Sequence, residues 1–150
     1  MLHDMTVKTP THLWIVGGLS LLWSAYGAFD YIMTRTHNVD YLSALPLPVE
    51  ETIAYIDSFP LLPDIGWSLG VWGALLGSIL LLMRSRYAVH AFAVSLLGAL
   101  ISLGYDMFLN DAKPEVLSEG MFAIMPIVVI IIAAALLLYA RRQHQAGVLR

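Results

Sequence analysis

Two carboxylates interrupt long apolar runs: Asp30 in Gly27-Ala28-Phe29-Asp30-Tyr31 and Asp106 in Gly104-Tyr105-Asp106-Met107. A carboxylate at the edge of a hydrocarbon layer can hold a cation or a proton, and tyrosine hydroxyls are natural partners for it. Asp30 and Asp106, with Tyr26, Tyr31, Tyr105 and Trp23, therefore form a candidate ligand- or cation-binding set. A plainer reading competes with it. Each aspartate stands three residues from the end of its run, about 5 Å below the boundary at 1.5 Å per residue, where it can reach water or headgroups. Asp30 also shares a helix face with Trp23, Gly27 and Thr34, which turns it toward a packed side.

Other chemistry is poorly supplied. His12 and His90 could clamp a haem or metal, but they fit equally well as interfacial anchors, so no cofactor and no metal are expected. No glycine-rich phosphate loop follows a strand, and there is no serine elbow or metal-spaced acid cluster. The expectation is a protein that is not an enzyme. With no cysteine, disulfides, thiolate metal sites, iron–sulfur clusters and thiol oxidation within the chain are excluded. The net charge of −3 and the lack of a basic run argue against nucleic acid.

The elements that must carry these residues follow from composition. Hydrophobic residues make up 59% and charged residues 13% of the 150 positions, against about half and a quarter in soluble domains. Four apolar runs, at 13–33, 65–83, 88–109 and 121–140, each approach the roughly 20 residues that cross a bilayer core. They predict one all-α domain, an integral membrane four-helix bundle in the lipid bilayer. Strands are disfavoured because 124–140 is continuously apolar rather than alternating.

Charge orients the bundle. Lys8, Arg84, Arg86, Arg141, Arg142 and Arg150 fall on one side, and only Arg35 and Lys113 on the other, which predicts cytoplasmic termini. All the acids except Asp4 sort to the opposite, outer side. A rival reading makes the first run a cleaved signal peptide, with Lys8 as its charge and Ala25-Tyr26-Gly27 as its cleavage site. Against it, the run continues to Met33, Asp4 offsets Lys8, and Trp23 and Tyr26 are bulky where small residues belong.

The first outer loop, about 34–64, holds Pro46, Pro48, Pro60 and Pro63. After Pro48, Val49, Ile53, Ile56 and Phe59 recur at helical spacing, predicting a short amphipathic helix that ends at Pro60. Pro63 and Asp64 are then expected to start the second span. Small residues form seams: Gly17, Ser20, Ser24 and Gly27 on the first run, Gly66, Gly70, Gly73 and Gly77 on the second, and Ser95, Gly98 and Ser102 on the third. Such seams let backbones approach closely where hydrophobicity does not drive association, so helix packing is their expected role. The fourth run lacks one. His12 and Asp30 on the first run echo His90 and Asp106 on the third, which is compatible with a parallel internal repeat.

Lys8 to Thr34, with His12-Leu13-Trp14-Ile15-Val16-Gly17 and Gly27-Ala28-Phe29-Asp30-Tyr31-Ile32-Met33-Thr34, resembles a family of small, uncharacterised bacterial inner-membrane proteins. Gly70-Val71-Trp72-Gly73 and Gly147-Val148-Leu149-Arg150 are similar to that family as well, so the likeness covers most of the chain. Members are sometimes labelled sugar transporters, although the Pro-Gln pair and three-helix unit of known small sugar transporters are absent here. The resemblance implies a multi-pass protein of the bacterial inner membrane. Two functions fit these features: a small solute (sugar-like) transporter acting as a homodimer, and a non-catalytic accessory or scaffold subunit docking on a larger membrane complex.

Overall fold

A computed structural model describes residues 8–111 and 113–150; Asp4 lies outside the described residues. The described chain is helical, with no strand among the described residues. Helix α1 spans Thr11–Arg35, α2 Val39–Leu42, α3 Val49–Asp57, α4 Leu61–Leu82, α5 Tyr87–Gly104 and α6 Met121–Gln145. A π-helical turn, Tyr105–Leu109, continues α5, and a 3-10 turn, Glu115–Ser118, precedes α6. Three of the helical segments, Leu61–Leu82, Tyr87–Leu109 and Met121–Gln145, are long and apolar enough to cross a membrane. α1 matches α6 in length at 25 residues, but its tryptophans, tyrosines, serines and Asp30 dilute its apolar character.

Prolines and left-handed caps set the boundaries. α1, α3 and α4 each begin directly after a proline, Pro10, Pro48 and Pro60, whose extended ψ brings the chain into the first turn. α4 accordingly starts at Leu61, earlier than expected, and Pro63 sits inside its first turn, where an N–H has no carbonyl to meet. α1, α4 and α6 end alike. His37, Arg84 and Gly147 take positive φ of 53°, 57° and 80°. The next amide then reaches back to the last turn, as in Asn38 N–H to Met33 O, Ser85 N–H to Leu80 O and Val148 N–H to Gln143 O. Only the last cap uses glycine, so two of these reversals carry local strain.

The α4–α5 hairpin forms the middle of the bundle, with α1 packed on α4 and α6 on α5. The glycine seam of α4 meets α5 backbone to backbone. A Cβ on Gly66 would stand 2.8 Å from Gly98 O, and one on Gly73 would stand 3.1 Å from Ala91 O and Ser95 Cβ. Gly77 lies under the Phe92 ring, and Gly70 against Ala99. Ser95 closes the seam by donating to Gly70 O at 2.7 Å. On α1, Gly17 receives Leu82, while the hydroxyls of Ser24 and Ser78 join α1 to α4 at 3.2 Å. Ser20 bonds within its own helix, to Gly17 O at 3.0 Å.

A buried cluster closes the end of the bundle that holds the α4–α5 turn. It joins Leu13, Leu81, Ala88, Phe92, Leu136 and Ala140 with Val148 and Leu149. The last two are delivered by the Gly147 cap, after which Arg150 pairs with the turn through Arg150 N–H to Arg84 O and Arg86 N–H to Arg150 O. The sequence signalled no packing role for this tail. At the other end, the loop end, Pro48 starts α3 as expected, with Thr52 and Ile56 buried. The one-turn α2, capped by the Asn38 side chain on Tyr41 N–H, went unpredicted because four residues carry no period.

Candidate functional site

A cavity of about 270 Å³ opens inside the bundle, lined from all four long helices. α1 contributes Trp23, Ser24, Gly27 and Asp30; α4 contributes Trp67 and Gly70; α5 contributes Ser95 and Ser102; α6 contributes Val129, Ile132 and Leu136. Two features of the sequence create it. Gly27 has no side chain, and a Cβ there would meet nothing within 4 Å. The α4–α5 seam also draws those helices together, so α1 and α6 flank them without filling the space between. The walls are mainly apolar, with Asp30 as the only charged residue among those lining it.

Asp30 accepts a short hydrogen bond from the hydroxyl of Tyr41, on α2. Burial first, then the hydrogen bond to Asp30, raises Tyr41 above the usual tyrosine range, and Tyr26 adds in the same direction. Tyr41 therefore stays a neutral donor at physiological pH. Asn38 positions it by fixing the α2 turn.

Asp106 lies outside the cavity lining, on the π-helical turn, and is buried. It accepts from Tyr55 of α3, takes Asn110 Nδ2 at 3.1 Å, and pairs with Lys113 Nζ at 3.3 Å. Desolvation, followed by the bond to Asp106, likewise pushes Tyr55 upward. A third carboxylate at this end, Asp64 on the first turn of α4, is held by Arg35 at 2.7 Å. Arg35 also stands over the Tyr31 and Trp67 rings, at 5.8 and 5.5 Å.

The candidate residues are thus divided. Asp30 and Trp23 meet in the cavity wall, whereas Asp106 belongs to a separate buried network. Tyr26, Tyr31 and Tyr105 bond to neither aspartate. Tyr26 is mostly exposed, Tyr31 stacks edge-on against Trp67 and Trp72, and Tyr105 meets Phe59. The donors are Tyr41 and Tyr55, which sequence reasoning missed: they lie 11 and 51 residues from their partners, on separate elements. The weak signal available was that both lie in the proline-marked outer loop. His12 bonds to Tyr139 at 2.6 Å, and His90 tilts against Tyr87. Among the described residues no three His, Asp or Glu side chains gather as metal ligands would.

Comparison with known proteins adds no relative: no family model, no curated protein and no solved structure matches the chain.

Proposed function

We propose that the chain is a four-span protein of the bacterial inner membrane, with cytoplasmic termini, that binds a small solute inside its bundle and carries it across. The observation that carries this reading is the cavity lined from α1, α4, α5 and α6, with Asp30 in its wall. Concave, mainly apolar sites with a few convergent polar groups are the usual form of small-molecule sites. An ionisable residue facing such a space inside a membrane bundle marks a functional position by default. α1 supports the fourth span by length, since 25 residues rise roughly 37 Å, more than a hydrocarbon core of about 30 Å. Its polar residues are not spread at random: Ser20, Ser24 and Asp30 are turned inward or half-buried, while Leu19 and Leu22 face out.

Binding in this reading takes place within one chain. Pairing two bundles is the accompanying proposal for the transport step, and cross-linking in native membranes tests it. For orientation, a chain without cysteine is convenient: cysteines introduced singly at Glu51 and at Ser85 should label from opposite sides with a membrane-impermeant maleimide. Proteoliposome uptake of a panel of labelled sugars, amines and carboxylates tests transport. Uptake of at least one class, abolished by Ala133→Trp in the cavity wall, is expected. No uptake of any class over empty liposomes, together with no binding, removes the reading.

A further inference from the structure

We infer that the solute is a small organic cation, a protonated or quaternary amine with an apolar body, whose charge is met by Asp30. The inference rests on the proposed solute-binding role of the cavity and names its ligand class.

Charge bookkeeping at the loop end is uneven. Asp64 has Arg35 at 2.7 Å, and Asp106 has Lys113 at 3.3 Å, so both of those carboxylates are matched by a side-chain cation. Asp30 is met by Tyr41, a neutral donor held in its protonated form. The carboxylate that lines the cavity is therefore the one of the three that pairs with no side-chain cation among the described residues. Within low-dielectric walls an uncompensated charge is costly, and a cationic guest removes that cost.

The rest of the lining suits the body of such a guest. The indoles of Trp23 and Trp67 share the wall with Asp30, and tryptophan is the best aromatic partner for a cation. Trp67 already takes the Arg35 guanidinium at 5.5 Å, so its ring is used this way within the fold. Toward α6 the wall is Val129, Ile132 and Leu136, which offer no hydrogen bond. A neutral sugar would leave hydroxyls unpaired against them; of the three lining serines, Ser24 and Ser95 are engaged with Ser78 and with Gly70 O, which leaves Ser102 to offer a hydroxyl from α5. An amine with an apolar tail has nothing to leave unpaired there. At about 270 Å³ the space suits a compact molecule rather than a drug-sized one.

The test titrates the full chain in lipid nanodiscs with benzyltrimethylammonium, with its neutral carbon isostere neopentylbenzene, and with glucose. Tryptophan fluorescence and calorimetry are the readouts, and empty discs are subtracted. The cation is expected to bind at least tenfold more tightly than the isostere. Asp30→Asn should abolish that preference, and Asp30→Glu should keep it. The wild-type comparison of cation and isostere needs no variant, so it decides the question even if Asp30→Asn does not fold. Equal binding of cation and isostere, preference for glucose, or undiminished cation binding by a folded Asp30→Asn overturns the inference while leaving a solute site in place. Binding of none of the three also overturns it; the broader reading falls only if the uptake panel is negative too.

Discussion

The close approach of α4 and α5 at Gly98 makes a quantitative prediction. Gly98→Ala would place a methyl group 2.5 Å from Gly66 O, 2.7 Å from Gly70 N and 2.9 Å from Leu69 Cβ. None of these atoms lies at the end of a flexible side chain, so no rotamer change relieves the clash. α4 and α5 must separate by roughly an ångström, and a gap of about 0.5–1 Å forfeits a quarter to a half of the dispersion energy across the contact. The Ser95 hydroxyl, 2.7 Å from Gly70 O, would be stretched beyond bonding distance. Overpacking of this kind costs about 1–3 kcal/mol and a lost interhelical hydrogen bond about 0.6 kcal/mol, so a total near 2–3 kcal/mol is expected. Gly18→Ala is the matched control, because a Cβ there meets nothing within 4 Å and alanine is the better helix former by about 1 kcal/mol. Reversible unfolding in mixed detergent micelles, followed by far-ultraviolet circular dichroism, measures both. If Gly98→Ala unfolds at the same denaturant fraction as Gly18→Ala, the α4–α5 seam does not hold the bundle as described.

Further outcomes follow from the loop end, the tail and the α1–α4 contact. Tyr55 is raised in the folded chain, so its contribution is present in full below the unfolded tyrosine value near 10 and is lost as pH rises toward the folded value. Stability should therefore decline above about pH 10, by at most about 1.4 kcal/mol per pH unit from this group, and Tyr55→Phe should flatten that limb. The same variant leaves buried Asp106 one donor short, costing about 1–3 kcal/mol at neutral pH, read from chemical denaturation. Leu149→Ala should cost about 2 kcal/mol or more by opening a hole in the buried cluster it shares with Leu13, Leu81 and Phe92, seen as a lowered Tm. Ser24→Ala should cost only about 0.6 kcal/mol, since Ser78 keeps its bond to Ala74 O at 2.8 Å; a much larger loss in the same denaturation assay would refute that account.

Much of this molecule follows from periodicity and composition alone. The long helices, the amphipathic α3 and the small-residue seams all depend on residues one or two turns apart, and helical geometry brings such residues onto one face whatever surrounds them. That is why Gly66, Gly70, Gly73 and Gly77 could be read as a contact face before their partner helix was known. Boundaries were less legible. Whether a helix starts at Leu61 or Ile65 depends on which proline falls where the helix needs no N–H donor, and the reversals at His37 and Arg84 use residues that carry no glycine signal. Tertiary structure decided the rest. It chose Tyr41 and Tyr55 over Tyr26, Tyr31 and Tyr105 as donors, assigned Lys113 to Asp106 and not to Asp30, and turned Val148 and Leu149 into the core. A hydrogen bond or ion pair is satisfied by whichever group reaches a point in space within about 3 Å, and across loops of many residues that proximity leaves no spacing in the sequence. The position of Asp30, with no cation paired to it among the described residues, is a property of that outcome: at this end the fold gave Arg35 to Asp64 and Lys113 to Asp106.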